Sequence, residues 1–222
     1  MSTYVLMRIL ESAPSRYELG IRLLTLGRLD HAYDRLAGHI DRGQQVLDIG
    51  CGTGALTLRA AQRGAKVKGI DINPRMLEIA AQRIKSGGLS DLVDLAEMGV
   101  AELDTEEAQH YDAVTIGLCL SELSEDEIRF ALKQVARILR PGGLLLIADE
   151  IKPRGLAHRL IHSMVRVPLV VFTYVITQQT VHPASNLWET LKAAGFGIVS
   201  VHLNRLGSFG EFVARKPAGT AS

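Results

Sequence analysis

From Gln45 to Glu150 short apolar runs alternate with amphipathic stretches, and this alternation is what most narrows the folds open to the chain. Runs such as QVLDIG and LLLIADE need cover on both faces, and helices threaded between successive strands supply it only over a parallel sheet. QVLDIG reads as the first strand and ALTLRAAQR as its helix; AKVKGIDI, LVDLAEM, YDAVTIGLCL and LLLIADE read as the second to fifth strands. Two helices between them carry start signals. In NPRMLEIAAQRI, Asn73 caps, Pro74 suits the first helical position, and Leu77, Ala80, Ala81 and Ile84 form an apolar stripe. Ser124 and Glu127 stand at capping-box spacing before Ile128, Leu132, Val135 and Leu139, after which RPGG stops that helix. NLWETLKAAGF is a further amphipathic helix, and GIVSVHL and FGEFVAR pair as a closing hairpin at a sheet edge. The expected fold class is α/β: a doubly wound sheet of seven strands, mostly parallel with an antiparallel edge strand.

The flanks break the rhythm. Leu19, Leu23, Leu26 and Leu29, then Leu36, His39 and Ile40, recur at three- and four-residue spacing, which predicts a helical pair over residues 1–44. After the core of 45–152, residues 153–185 are largely apolar, and 186–222 return to the sheet. The apolar segment from Leu160 to Ile176 is interrupted by Arg166 and Pro168, and about ten apolar residues follow, short of the ~20 that a spanning helix requires. It reads as an inserted helical cap over the substrate pocket, as the interface of a homodimer, or as a shallow contact with a membrane surface.

With 222 residues, 47% of them hydrophobic, the chain can bury one substantial core. Twenty-five basic against 24 acidic residues give no charge excess that calls for nucleic acid or an electrostatic membrane anchor. Cys51 and Cys119 have no metal-ligand spacing and make no disulfide framework. The opening MSTYVLMRILESAPSRYELG is too charged for a secretory signal, so the expected location is cytoplasmic.

The chemistry concentrates in VLDIGCGTGALTL. Gly50, Gly52 and Gly54 reach backbone angles closed to other residues and let a ligand approach the peptide plane, while the helix from Ala55 points free N–H groups at it. A dinucleotide loop runs G-x-G-x-x-G; this one runs G-x-G-x-G behind Asp48, an acid that repels a diphosphate and suits an amine. Seventeen residues after Gly54, Asp71 ends the second strand, where a carboxylate can accept from both hydroxyls of a ribose. Adenosine joined to an amino acid fits both acids.

Over Gln45 to Glu150 the chain resembles the class I S-adenosylmethionine-dependent methyltransferases, through VLDIGCGTG, VKGIDIN, YDAVTIGLCLSEL and LRPGGLLLIADE. Its style is similar to the ubiquinone and menaquinone methyltransferase type. The resemblance implies a Rossmann-like core, S-adenosylmethionine as donor and S-adenosylhomocysteine as product. It places Asp48, Gly50, Cys51, Gly52 and Gly54 along the methionine half and its loop, Asp71 on the ribose, Ile72 on the adenine, Met98, Gly99 and Val100 as the other adenine wall, and Leu118 near the sulfonium. The family often has an aspartate at or beside Gly99, where this chain reads EMGVAEL; either Glu97 or a backbone group replaces it, or adenine is held less specifically. The stretch from Glu11 to Ile40 looks like the leader of a subgroup associated with corrinoid proteins, which implies a cobalamin-binding partner.

Tyr17 is a candidate lid over the ligand, and Glu122 and His182 are candidates to orient the substrate or take its proton; Glu150 shares the strand-end position of Glu122. Of the seven histidines, His158 and His162 alone have ligand-like spacing, and with no third ligand near them no metal is expected. Transfer from a sulfonium needs chiefly alignment and exclusion of water, so no obligatory base is expected. A nicotinamide-dependent oxidoreductase and a non-catalytic cofactor-binding scaffold are the alternative classes.

Overall fold

The computed structural model describes residues 28–151, 187–204 and 207–218. Seven strands form one sheet in the order β3-β2-β1-β4-β5-β7-β6: β1 (Gln45–Ile49), β2 (Lys66–Asp71), β3 (Val93–Glu97), β4 (Tyr111–Gly117), β5 (Leu139–Glu150), β6 (Gly197–Leu203) and β7 (Phe209–Arg215). The first five are mutually parallel, and β7 runs antiparallel to both neighbours, β5 and β6. The reversed strand thus sits one place in from the edge, and β6, its hairpin partner, forms the edge.

Side-chain alternation assigns two faces. Leu47, Ile49, Val114, Ile116, Leu145 and Ile147 share one buried cluster with α4 (Glu125–Ile138) and α5 (Leu187–Ala193). Val46, Val67, Ala113, Leu146 and Ala148 face the other, under α1 (Arg28–Ala37) and α2 (Ala55–Gln62). The small satellite of Leu58, Ala80 and Ile84 seats α3 (Pro74–Ser86). Strand order reverses between β1 and β4, which opens a crevice at their carboxyl ends.

Local signals fixed these helices. The Asn73 side chain accepts from the Arg75 N–H at 3.1 Å. Ser124 and Glu127 close their capping box, the Glu127 carboxylate accepting from the Ser124 N–H at 2.8 Å. Three details differ from the sequence pattern. Ala81 is exposed, and Met76 takes its place with Ala80 and Ile84 in the buried stripe of α3. Leu139 starts β5 and pairs with Tyr111 before a register shift, so the RPGG stretch lies within the strand rather than ahead of it. His39 is exposed just past the end of α1, while Leu36 and Ile40 are buried.

α1 is tied to the sheet by Arg35, whose Nε and Nη2 donate to Glu211 of β7 at 2.8 and 2.6 Å, and to α2 by Arg59, which reaches Asp30 and Asp34. Its Tyr33 lies over Gly117, where an added Cβ would stand 2.6 Å from the hydroxyl. The helix therefore covers the end of β4 as well as the core. Leu19, Leu23 and Leu26, and the expected cap of 153–185, lie outside the described residues.

A glycine turn and an acid-lined crevice at the ends of β1, β2, β4 and β5

The three glycines after β1 all have positive φ, +67°, +54° and +79° at Gly50, Gly52 and Gly54, yet each is required for a different reason. A Cβ at Gly50 would lie 2.6 Å from Cys119 Sγ, so glycine there lets the turn after β4 press onto the loop. At Gly54 a Cβ would meet that of Ala80 at 3.2 Å, so this residue allows α3 to approach the start of α2. At Gly52 it would meet nothing within 4 Å. The side of the loop that Gly52 bares is open to a ligand.

Asp71 clamps this loop to the end of β2. Its Oδ2 accepts from the Gly52 N–H and its Oδ1 from the Asn73 N–H, both at 2.8 Å, and burial pushes its carboxyl above the ordinary value against those bonds. Ile72, next in the chain, is 75% exposed, a large apolar side chain offered beside a carboxylate. Across from it stands Gly99, where a Cβ would come 3.1 Å from Ile72 Cγ2. Met98 is buried, with its N–H on the Asp71 carbonyl at 3.1 Å, and Val100 packs on the core. The Gly99 N–H donates to Glu102 Oε2 at 2.8 Å, so Glu102 is the acid brought to this corner.

Asp48 lies beneath the loop, 1% exposed. Thr57 Oγ1 of α2 and Thr115 Oγ1 of β4 donate to its two oxygens at 2.6 and 2.7 Å. Burial pushes its carboxyl up to about 6, the Thr57 and Thr115 bonds pull it down, and Asp71 adds a smaller upward push. Cys51 is buried, its N–H on the Ile70 carbonyl at 2.9 Å, and burial with the charges of Asp48 and Asp71 raises its thiol.

On the β4 side Leu118 has φ +55°, left-handed for a side-chain-bearing residue, and its N–H donates to the Ala148 carbonyl at 2.9 Å. Its side chain is buried in the cluster under α1 and α2, so the side chain that meets the glycine loop is Cys119. Burial raises the Cys119 thiol well above its usual range, and Glu122, Asp149, Asp71 and Asp48 all add to the push. Four carboxylates on four elements therefore act on one point of the crevice. Glu122 is exposed at the end of the 3₁₀ turn Leu120–Glu122, and Glu150 is half-buried opposite Phe209.

The structure thus brings Gly50, Gly52, Asp71, Ile72 and Gly99 together at the carboxyl ends of β1 to β3, with Cys51 and Met98 buried behind them, Gly54 against α3, Val100 on the core, Asp48 beneath the loop and the Leu118 side chain turned away. Tyr17, His182, His158 and His162 lie outside the described residues. Among the described residues no cluster of three or more His, Cys, Asp or Glu could hold a metal, and no helix is long and apolar enough to cross a membrane. Sequence reading passed over Thr57, Thr115, Glu102, Tyr33 and Asp149. The last is fully buried on β5 and accepts from the Leu120 N–H at 2.7 Å. Glu102, three residues beyond Gly99 at cap spacing, and Asp149, a strand-end acid like Asp48, carried signals that could have been read.

A parallel sheet whose order reverses beside a glycine turn, with an acid closing the second strand, defines a Rossmann-like nucleoside-cofactor protein. A model of the methyltransferase domain matches residues 46–143. An uncharacterized methyltransferase of Synechocystis is 32% identical over 178 residues, 79% of this chain and 77% of that protein. The demethylmenaquinone methyltransferase of Tropheryma whipplei is 37% identical over 115 residues, which span 52% of this chain and 45% of the relative, less than half its length. Geranyl diphosphate methyltransferase, solved with S-adenosylmethionine, shares the fold at a TM-score of 0.65, with 18% identity over 90% of either chain. The chain belongs to the class I S-adenosylmethionine-dependent methyltransferases.

Proposed function

We propose that the protein transfers a methyl group from S-adenosylmethionine, in line, to a small acceptor that is apolar or a large flat ring. The observation that carries this reading is the Asp71 clamp: a strand-end carboxylate bonded to the N–H of Gly52, whose open side faces the crevice, with exposed Ile72 alongside. The Asp71 carboxylate has accepting capacity beyond the two N–H groups and would hold the ribose hydroxyls. Ile72 and Gly99 would flank the adenine, and Glu102 would accept from its amino group. The loop from Gly50 to Gly52 would take the amino-acid end.

The G-x-G-x-G spacing behind Asp48, and the Asp71 carboxylate beside Gly52, favour a cationic ligand and oppose a diphosphate, which supports S-adenosylmethionine over a nicotinamide dinucleotide. The bound donor supplies an already activated methyl group; the chain's residues fix its position, exclude water, and leave the acceptor to approach along the carbon–sulfur axis. The acceptor class draws support from the relative named for demethylmenaquinone, a flat ring compound. Glu122, exposed at the same edge, would orient the acceptor or take its proton.

Calorimetric titration with S-adenosylhomocysteine, S-adenosylmethionine and NADH, in wild type and Asp71→Ala, tests the cofactor. The adenosyl pair should bind and NADH should not, and the variant should lose about 1 to 3 kcal/mol. NADH binding alone, or an unchanged affinity in a folded variant, overturns the assignment. Transfer of labelled methyl to demethylated naphthoquinones, and to a cobalamin-loaded corrinoid protein, then tests the acceptor; tight donor binding with no transfer to any acceptor supports the scaffold reading instead.

A further inference from the structure

Asp149 is an acidic side chain with no exposed surface at the carboxyl end of β5, and the proposed transfer does not call on it. Its Oδ2 accepts from the Leu120 N–H at 2.7 Å and more loosely from the Ser121 N–H at 3.4 Å, and its Oδ1 accepts from the Glu150 N–H at 2.7 Å. The Ser121 side chain bonds to it as well. Leu120 and Ser121 open the 3₁₀ turn that follows Cys119. On the other side of Cys119, Leu118 holds its left-handed φ through the bond to Ala148, the residue before Asp149. One point on β5 therefore grips the β4 turn from both ends, and what the turn presents outward is Cys119, seated against Gly50.

We propose that Asp149 is a positioning residue of the donor crevice: by accepting the N–H groups of Leu120 and Ser121 it holds the β4 turn against the glycine loop and sets the width of the crevice between them. This rests on the reading of that crevice as the donor site. The carboxylate is the form that fits, because every backbone group aimed at it is a donor that cannot rotate away. A proton, or an asparagine amide, must set a donor against one of these N–H groups: on Oδ2 it faces Leu120 and Ser121 and releases the turn, and on Oδ1 it faces the Glu150 N–H and leaves the turn only the weaker bonds of a neutral oxygen.

Burial raises this carboxyl to about 7 against the bonds from Ser121, Glu150 and Leu120, so the release falls in an accessible range. The titratable groups acting on it are Glu150 on its own strand and Cys119 on the turn, with Glu122 acting on Cys119 in its turn. From α4 and α5 the side chains buried on this face, among them Ile128, Leu132, Leu187 and Leu191, are apolar. Asp48 titrates on the opposite face, where its Thr57 and Thr115 partners lie, and needs its own control.

The test measures S-adenosylhomocysteine affinity against pH in wild type, Asp149→Asn and Asp48→Asn. Wild-type affinity should fall about tenfold from about pH 8 to about pH 5.5; the fall should persist in Asp48→Asn, and Asp149→Asn should bind about tenfold more weakly throughout, without the pH step. Amide hydrogen exchange read by NMR gives the local signature: Asp149→Asn should speed exchange at the Leu120 and Ser121 N–H groups about tenfold and leave the amides of α3 unchanged, whereas general loosening would speed both. Unchanged affinity in folded Asp149→Asn, or equal acceleration in both places, overturns the proposal. Should that variant fail to fold, the wild-type and Asp48→Asn titrations decide it, and flat affinity across the range overturns it. Wild type that binds no S-adenosylhomocysteine at any pH brings down the donor-site reading itself.

Discussion

Replacing Asp48 with asparagine removes a buried charge whose two hydroxyl partners can turn to suit an amide, while the Thr57 N–H still finds the amide oxygen as acceptor. The carboxylate accepts from two hydroxyls, Thr57 and Thr115, and a hydroxyl can either donate or accept. With asparagine, Thr57 still donates to the oxygen, while Thr115 rotates to accept from the new NH2 group and turns its own proton toward the Leu47 carbonyl, already 3.5 Å away. Burial holds the carboxyl at about 6 in place of 3.8, so the folded chain binds this proton more tightly than the unfolded one. The sign follows: the group's contribution is most favourable below the unfolded value and is lost as pH rises through about 6. That tighter proton binding is worth about 3 kcal/mol, of which about 2 kcal/mol is lost between about pH 4.5 and about pH 7.5. Urea unfolding of wild type and Asp48→Asn at those two pH values isolates the group, because every other titration is common to both chains. The variant's stability relative to wild type should rise by about 2 kcal/mol from the lower pH to the higher. A difference that stays flat, or falls, would refute the reasoning that a buried, hydroxyl-bonded charge lies under the loop.

Two loop substitutions should separate packing from binding. Gly50→Ala meets Cys119 Sγ at 2.6 Å as well as an unfavourable φ, and should cost about 2 to 4 kcal/mol in thermal or urea unfolding. Gly52→Ala has open space around the new methyl, so only the φ strain of about 1 kcal/mol applies to folding, while S-adenosylhomocysteine affinity should fall at least about tenfold. Equal effects on both measurements at both positions would refute the distinction. Glu102→Gln keeps an acceptor for the Gly99 N–H but removes the charge, and should weaken adenosyl-ligand binding about three- to tenfold with the melting temperature nearly unchanged.

Much of this architecture could be read from local signals, because capping, glycine turns and side-chain alternation act over a few residues. The caps at Asn73 and Ser124, the strand-end position of Asp71, and the glycine turn are all of that kind. Misreadings came where two local solutions compete. Met76 and Ala81 both suit an apolar stripe on α3, and only the packing of that helix beside Leu58 decides which is covered. RPGG looks like a bare turn until pairing with β4 draws Leu139 into the sheet.

By itself, then, the sequence determined the α/β class, the succession of strands and helices, and the glycine turn with Asp71 some twenty residues beyond it, since each depends on neighbours along the chain. The tertiary structure alone decided that Thr115, 67 residues from Asp48, would donate to its buried carboxylate, that Cys119 would close on Gly50, and that Asp149 would reach 29 residues back to hold the turn between them. These contacts join different strands at the carboxyl edge of the sheet, and no periodicity within one strand records which residue of another will stand opposite it.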